Sequence, residues 1–205
     1  MIKTERLTLE PFAAEDTDEL HALFTDPDVR RYLLDDEVVS RSWIEEEIAA
    51  SEARFEELGH GLWTIRRTGE EHIIGFVGFR PFFDPPEIQL LYGLLTEAWG
   101  AGLATEASAA VLRQAFERFA FQEVVAATDA PNVASIRVLE RLGFREWKRT
   151  AEGEAGTVYF RLDTEAWLGG RGAAELRGDV GGALSAGREG AASTSALRPH
   201  AEPPP

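Results

Sequence analysis

Cysteine is absent from this chain. That excludes disulfides, thiolate metal sites, a cysteine nucleophile and any covalent thioester on the protein itself. Long apolar runs are missing too: none approaches the ~18 residues of a membrane helix. The stretch Met1-Ile2-Lys3-Thr4-Glu5-Arg6 has no signal-peptide core, so a cytoplasmic protein with no membrane attachment is expected. Histidine is scarce, and His21, His60, His72 and His200 show no ligand-like spacing, so no metal is expected. Basic residues are outnumbered, with 21 Lys and Arg against 36 Asp and Glu, a formal net charge of -15. This balance argues against a nucleic-acid surface, which needs basic stripes to neutralise phosphates. A negative field favours cationic partners such as amines or basic peptides; acidity that serves solubility alone is the competing reading.

What is present is enough for one sizeable core: 44% apolar and 10% aromatic over 205 residues reads as a single domain. Its end is visible in composition. Of the 37 residues from Gly169 to Pro205, 20 are Gly, Ala or Pro, too little apolar bulk to offset the ordering entropy. The expectation is a folded domain over 1–168 and a disordered low-complexity tail over 169–205.

Along the domain, Arg6–Phe12 alternates polar and apolar as a half-buried strand does, closed by Pro11. Ala13–Thr25 has Leu20, Leu23 and Phe24 at helical spacing; Asp26-Pro27-Asp28 breaks it, and Val29–Leu34 reads as a further short helical turn. Ser40–Leu58 predicts a longer amphipathic helix ending at Gly59. Its Glu45, Glu46, Glu47, Glu52, Glu56 and Glu57 read as a solvated face, or as one that steers a cationic acceptor. Leu62–Arg67 and Ile73–Arg80 form a hairpin, and after Pro81–Pro86 the strand Glu87–Leu95 completes an antiparallel meander. In Ile73–Arg80 and beyond, period-two alternation keeps Phe76 and Phe82 from all facing the same way as Phe79. Ala104–Phe119 is a crossover helix, so the strand Glu123–Thr128 is expected parallel to the Glu87 strand. Asp129–Asn132 opens the helix Val133–Leu142, capped by Gly143, and Arg145–Thr150 with Thr157–Leu162 form a last hairpin.

The stretch that organises the rest is Trp99-Gly100-Ala101-Gly102-Leu103-Ala104-Thr105-Glu106, a glycine turn between a strand and a helix. The first amides of a helix lack partners within it and carry the positive end of its dipole. Glycines at alternate positions let backbone approach a ligand without Cβ clashes, so the turn suits a phosphate or pyrophosphate. Two other readings stand beside this one: a helix-entry turn with nothing bound, and a dinucleotide fingerprint. The fingerprint wants glycine where Thr105 stands, and Asp129 lies somewhat far on for its ribose acid. The strand-after-strand order upstream also speaks against it.

Four segments carry a resemblance: Gly75-Phe76-Val77-Gly78, Leu91-Tyr92-Gly93-Leu94-Leu95, Trp99–Ala107, and Asn132–Phe144. In this order and spacing they resemble the GNAT N-acetyltransferase superfamily over roughly residues 4–165. They are most similar to the branch that includes the ribosomal-protein alanine and serine N-acetyltransferases. The resemblance implies an α+β fold, three layers (α/β/α), with a mixed, mostly antiparallel central sheet splayed where the Glu87 and Glu123 strands part. It implies acetyl-CoA in that opening, its pyrophosphate on the amides of Gly100, Ala101, Gly102, Leu103, Ala104 and Thr105. Leu94 and Leu95 would bind the pantetheine with backbone groups, joined by Asn132, which is also a natural helix cap. The family usually carries Gln or Arg where this chain has Trp99, and many members place a thiolate-protonating tyrosine where this chain has Leu139. The branch's alternative is a serine, here Ser135.

The chemistry asks for a base, because an ammonium has no lone pair. Glu87, at the start of its strand with Gln89, Leu91 and Gly93 on the same face, is the candidate; an acid turned to solvent is the plain alternative. An oxyanion donor is the second requirement, which unpaired backbone at a splay supplies. The activity implied is acetyl transfer from acetyl-CoA to an amine by direct attack, in a monomer or homodimer, with a non-catalytic acyl-CoA-binding module as the rival.

Overall fold

The alternation in Arg6–Phe12 becomes a strand, β2 (Leu7–Pro11), with Leu7 and Leu9 fully buried. A two-residue strand, β1 (Ile2–Lys3), lies ahead of it and was too short to read from sequence. A computed structural model of the chain describes residues 1–33, 36–82, 87–150 and 156–169. The tail expected from 169 lies outside the described residues except for Gly169, as do Leu34, Phe83 and the turn at 151–155.

After β2 the chain forms α1 (Thr17–Thr25), α2 (Pro27–Arg30) and α3 (Arg41–Leu58). The break expected at Asp26-Pro27-Asp28 also starts α2: Asp26 accepts from the amides of Asp28 and Val29, and Pro27 takes the first helical position, where no N–H is needed. So α2 begins and ends earlier than the expected Val29–Leu34 turn. The glycine stop of α3 is as read, with Gly59 at φ +78°, while Ser40, expected as the first helical residue, caps the helix instead, its Oγ accepting from the Trp43 amide.

The meander follows as β3 (Leu62–Arg67), β4 (Ile73–Phe82) and β5 (Glu87–Leu94). β4 runs past Arg80, through a proline expected to begin the loop. The Phe79 amide donates to Gly61 O on the β3 side, so by alternation the nitrogen of Pro81 faces that same side, beyond the start of β3, where no ladder bond is lost. Then come α4 (Leu103–Glu117), β6 (Glu123–Asp129), α5 (Val133–Arg141), β7 (Arg145–Thr150), β8 (Thr157–Asp163) and a short α6 (Thr164–Gly169) that the sequence reading did not include.

The strands form one sheet in the order β1-β2-β3-β4-β5-β6-β8-β7. Neighbours are antiparallel except β5 and β6, which are parallel as expected from the crossover helix. Helices cover both faces, each over its own apolar cluster. One joins α1, α2 and α3 to Phe76, Phe82 and Leu91; the other joins α4 and α5 to Val77, Phe79, Leu90, Tyr92 and Leu94. Phe76 and Phe79 thus fall on opposite faces, as their spacing requires.

Candidate active site

β5 and β6 meet in register only at Gln89 and Val125 among the described residues. From that vertex the two strands part toward their C-terminal ends, which lead into α4 and α5. Ligands in sheets with parallel strands sit at such carboxyl ends.

At the end of β5, Gly100 and Gly102 adopt φ +70° and +75°, a left-handed backbone that glycine enters without penalty. The first rung of α4 is the Glu106 amide to Gly102 O at 3.1 Å. The amides of Leu103, Ala104 and Thr105 therefore precede the helix ladder and lie at its positive end. The Thr105 hydroxyl is buried there with no partner. This donor set fits a pyrophosphate.

The turn is fastened from behind. Arg6 Nη1 donates to Ala101 O at 2.8 Å and Arg6 Nε to Glu106 Oε2 at 2.6 Å, while Thr4 Oγ1 donates to Glu106 Oε1 at 2.6 Å. Burial would raise the Glu106 pKa, but the bonds from Thr4 and Arg6 outweigh it and hold the carboxyl below its usual range. Both Glu106 oxygens are thereby kept on the clasp.

In front of the amides is a groove lined by Trp99, Gly102, Thr105, Ala134 and Arg141 among others. It shares Trp99 and Ala134 with a second, open recess bordered by Arg31, Tyr32 and Asn132. Asn132 is both buried and a cap, its Oδ1 accepting from the Ser135 amide at 3.1 Å.

Leu94 and Leu95 divide. The Leu95 amide donates to Ile74 O on β4 at 2.9 Å, so it is committed to the sheet and turned from the opening. Alternation then aims the edge groups of Leu94 at the opening, although the Leu94 carbonyl accepts the Trp99 indole N–H at 2.8 Å. Trp99 thus ties the turn to the strand it leaves.

Ser135 is fully buried and lies 2.8 Å, Oγ to Oη, from Tyr92 rather than in the groove wall. Burial pushes the Tyr92 phenol well above its ordinary value, so it stays protonated beside the serine.

On the other face of the sheet, Glu87 is half-buried and accepts from Gln89 Nε2 at 3.1 Å. Gln89 is fully buried at the vertex of the splay, and its Oε1 has no partner. Sequence reasoning missed the neighbouring cluster. Glu47, expected on a solvated face, is buried and pairs with Arg54 Nη2 at 2.9 Å and Arg80 Nε at 3.0 Å. The other five glutamates of that helix are exposed, as read. No helix among the described residues is long and apolar enough to cross a membrane, and none of their acidic or His groups is arranged to hold a metal.

Comparison with known proteins follows the same outline. Residues 6–145 match the family described as acetyltransferase (GNAT) domain. A Bacillus subtilis protein, YkkB, is 32% identical over 161 residues, covering 71% of this chain and 89% of its own length. The N-acetyltransferase YoaA of the same organism is 25% identical over 147 residues, covering 71% and 83%. Among solved structures, the ribosomal L7/L12 α-N-protein acetyltransferase RimL in complex with coenzyme A superposes with a TM-score of 0.67 at 16% identity, over 80% of this chain and 97% of that one.

Proposed function

The chain belongs to the GNAT acetyltransferase family, and from that premise we propose that it moves the acetyl group of acetyl-CoA onto a primary amine, of a protein N-terminus or a small molecule, by direct attack. The observation that carries this reading is the turn at Gly100 and Gly102: three uncommitted amides and an orphan buried hydroxyl at the mouth of a splayed pair of parallel strands.

In this reading Leu103, Ala104 and Thr105 hold the pyrophosphate with N–H groups and the Thr105 hydroxyl, and Asn132 and the Leu94 edge orient the pantetheine. Acetyl-CoA supplies the activated acyl group. Glu87 takes the proton of the acceptor ammonium, freeing its lone pair. The Leu94 amide donates to the oxygen on which charge develops. As the C–S bond breaks, the Ser135 hydroxyl donates to the leaving sulfur; it lies behind the groove wall on the protonated Tyr92, so this step requires local repacking that brings the sulfur to it. With no cysteine in the chain, the acetyl group passes to the acceptor without residing on a protein thiol.

The test has two stages. Calorimetry with CoA reads the cradle, and the absence of binding at millimolar ligand removes the proposal. Thiol release from acetyl-CoA across an amine panel, with mass spectrometry of the products, then separates a transferase from a module that only binds acyl-CoA. The binding module is favoured by Leu139 where a general-acid tyrosine is common. CoA binding with no release on any amine selects it.

A further inference from the structure

The cluster around Glu47 is unbalanced. Two guanidinium groups share one carboxylate, and the side chains of Glu47, Arg54 and Arg80 are only 8%, 14% and 23% exposed. This ion-paired set carries one net positive charge largely out of water, and no further carboxylate among the described residues, Glu87 included, lies within ion-pair distance of it, which is costly unless an anion completes the set. Its bonding is incomplete as well: Arg54 Nε is buried without a partner. Arg80 uses Nε on Glu47 and sets its guanidinium 5.0 Å from the Phe82 ring centroid, leaving its two Nη groups without a hydrogen-bond acceptor among the described residues.

Directly across the β4–β5 ladder from Arg80 stands Gln89, on the same face of the sheet. Its buried Oε1 is an acceptor with no donor, while its Nε2 holds Glu87. A guanidinium with free donors, an amide oxygen with free acceptor capacity and a carboxylate therefore lie side by side at the vertex of the splay. Glu87 is the diagonal neighbour of Arg80, and such positions are about 7–8 Å apart. That distance suits a ligand whose anionic and cationic groups are only a few bonds apart.

We propose that the acceptor is a zwitterion, an amine bearing a carboxylate on the same or a nearby carbon, as in an amino acid. Arg80 binds its carboxylate through Nη1 and Nη2, and Gln89 Oε1 accepts an amine N–H, delivering the nitrogen to Glu87. The -15 charge of the chain repels simple anions, whereas an acceptor with no net charge meets no such barrier. This inference rests on Glu87 as the base and narrows the acceptor from amines in general.

The test uses the full chain with matched pairs of acceptors, free L-amino acids and their α-carboxamides, with thiol release referred to the free-base concentration of each amine. The expected result is at least a tenfold higher kcat/KM for the acids. In Arg80→Gln that preference falls to near unity through a raised KM for the acids, while Arg80→Lys keeps part of it. Wild-type protein that uses carboxamides as well as acids overturns the zwitterion site and leaves the transferase reading standing. Failure to release thiol with any amine, CoA still binding, overturns both. The wild-type ratio decides even if Arg80→Gln does not fold.

Discussion

Gly102 and Gly69 form a matched pair for testing the cradle. Their φ angles are +75° and +85°. A Cβ at Gly102 would meet only Arg6 Nη2, at 3.8 Å, and one at Gly69 nothing within 4 Å. Neither alanine variant clashes with the protein, and each carries the left-handed penalty of about 1–2 kcal/mol. At about 2–4 °C per kcal/mol for a domain of this size, each lowers Tm by about 2–8 °C. The two differ in what the methyl faces: Gly69 lies in the β3–β4 turn, and Gly102 lines the groove before the α4 amides. Displacing one charge-assisted hydrogen bond to the pyrophosphate costs about 1.5–3 kcal/mol, so Gly102→Ala weakens CoA binding about 10- to 100-fold and Gly69→Ala leaves it unchanged. Calorimetry gives the Kd directly. Melting curves give a second reading: CoA at 100 times the wild-type Kd stabilises by about 2.7 kcal/mol, and a tenfold weaker site by about half as much. Gly102→Ala binding CoA within twofold of wild type, or both variants weakened alike, would refute the assignment.

The remaining expectations concern chemistry and the clasp behind the turn. Glu87→Gln lowers kcat by about 10²–10⁴ with CoA affinity unmoved, measured by thiol release and calorimetry; a fall within threefold means the base lies elsewhere. Ser135→Ala lowers kcat more than it changes the KM for acetyl-CoA, and unchanged turnover removes the serine from the thiolate step. Glu106→Gln destabilises by about 1–3 kcal/mol near neutral pH, through bonds lost to Thr4 and Arg6. Because the folded-state pKa of Glu106 lies below the ordinary 4.5, its stabilisation is complete above that value and is lost as pH falls through the lower one. Denaturation curves of wild type and Glu106→Gln should therefore converge on acidification below about pH 4.5; a gap constant with pH would count against the clasp.

The glycine turn and the helix start behind it could be read from sequence because everything that makes them is local. Two glycines at alternate positions, a preceding apolar run and a following 3.6-residue period dictate strand, left-handed turn and helix N-terminus without help from distant residues. The parallel pairing of β5 and β6 was legible because a crossover helix permits little else. Contacts spanning a hundred residues had no such local signature. Arg6 and Glu106 each read as ordinary polar positions, and only the placement of β2 beside α4 joins them. The commitment of the Leu95 amide to β4 was not legible for a related reason, since alternation along a strand does not say which edge neighbours a partner until the register of β4 is known.

Glu47 is the instructive miss, since its signal was present. Ile44, Glu47, Ile48, Ser51 and Phe55 follow the 3, 4, 7, 11 spacing of one helix stripe, and the first four are the buried residues of α3. The run Glu45-Glu46-Glu47 reads as solvated by composition, yet helical period places only its third member inward. A carboxylate on an apolar stripe requires a cation, and Arg54, seven residues on, lies on that same stripe, whereas Arg80 comes from another element altogether. Periodicity could therefore have predicted a buried acid and one partner; the second guanidinium, and with it the excess charge that points toward an anionic group on the acceptor, depends on β4 lying beneath α3.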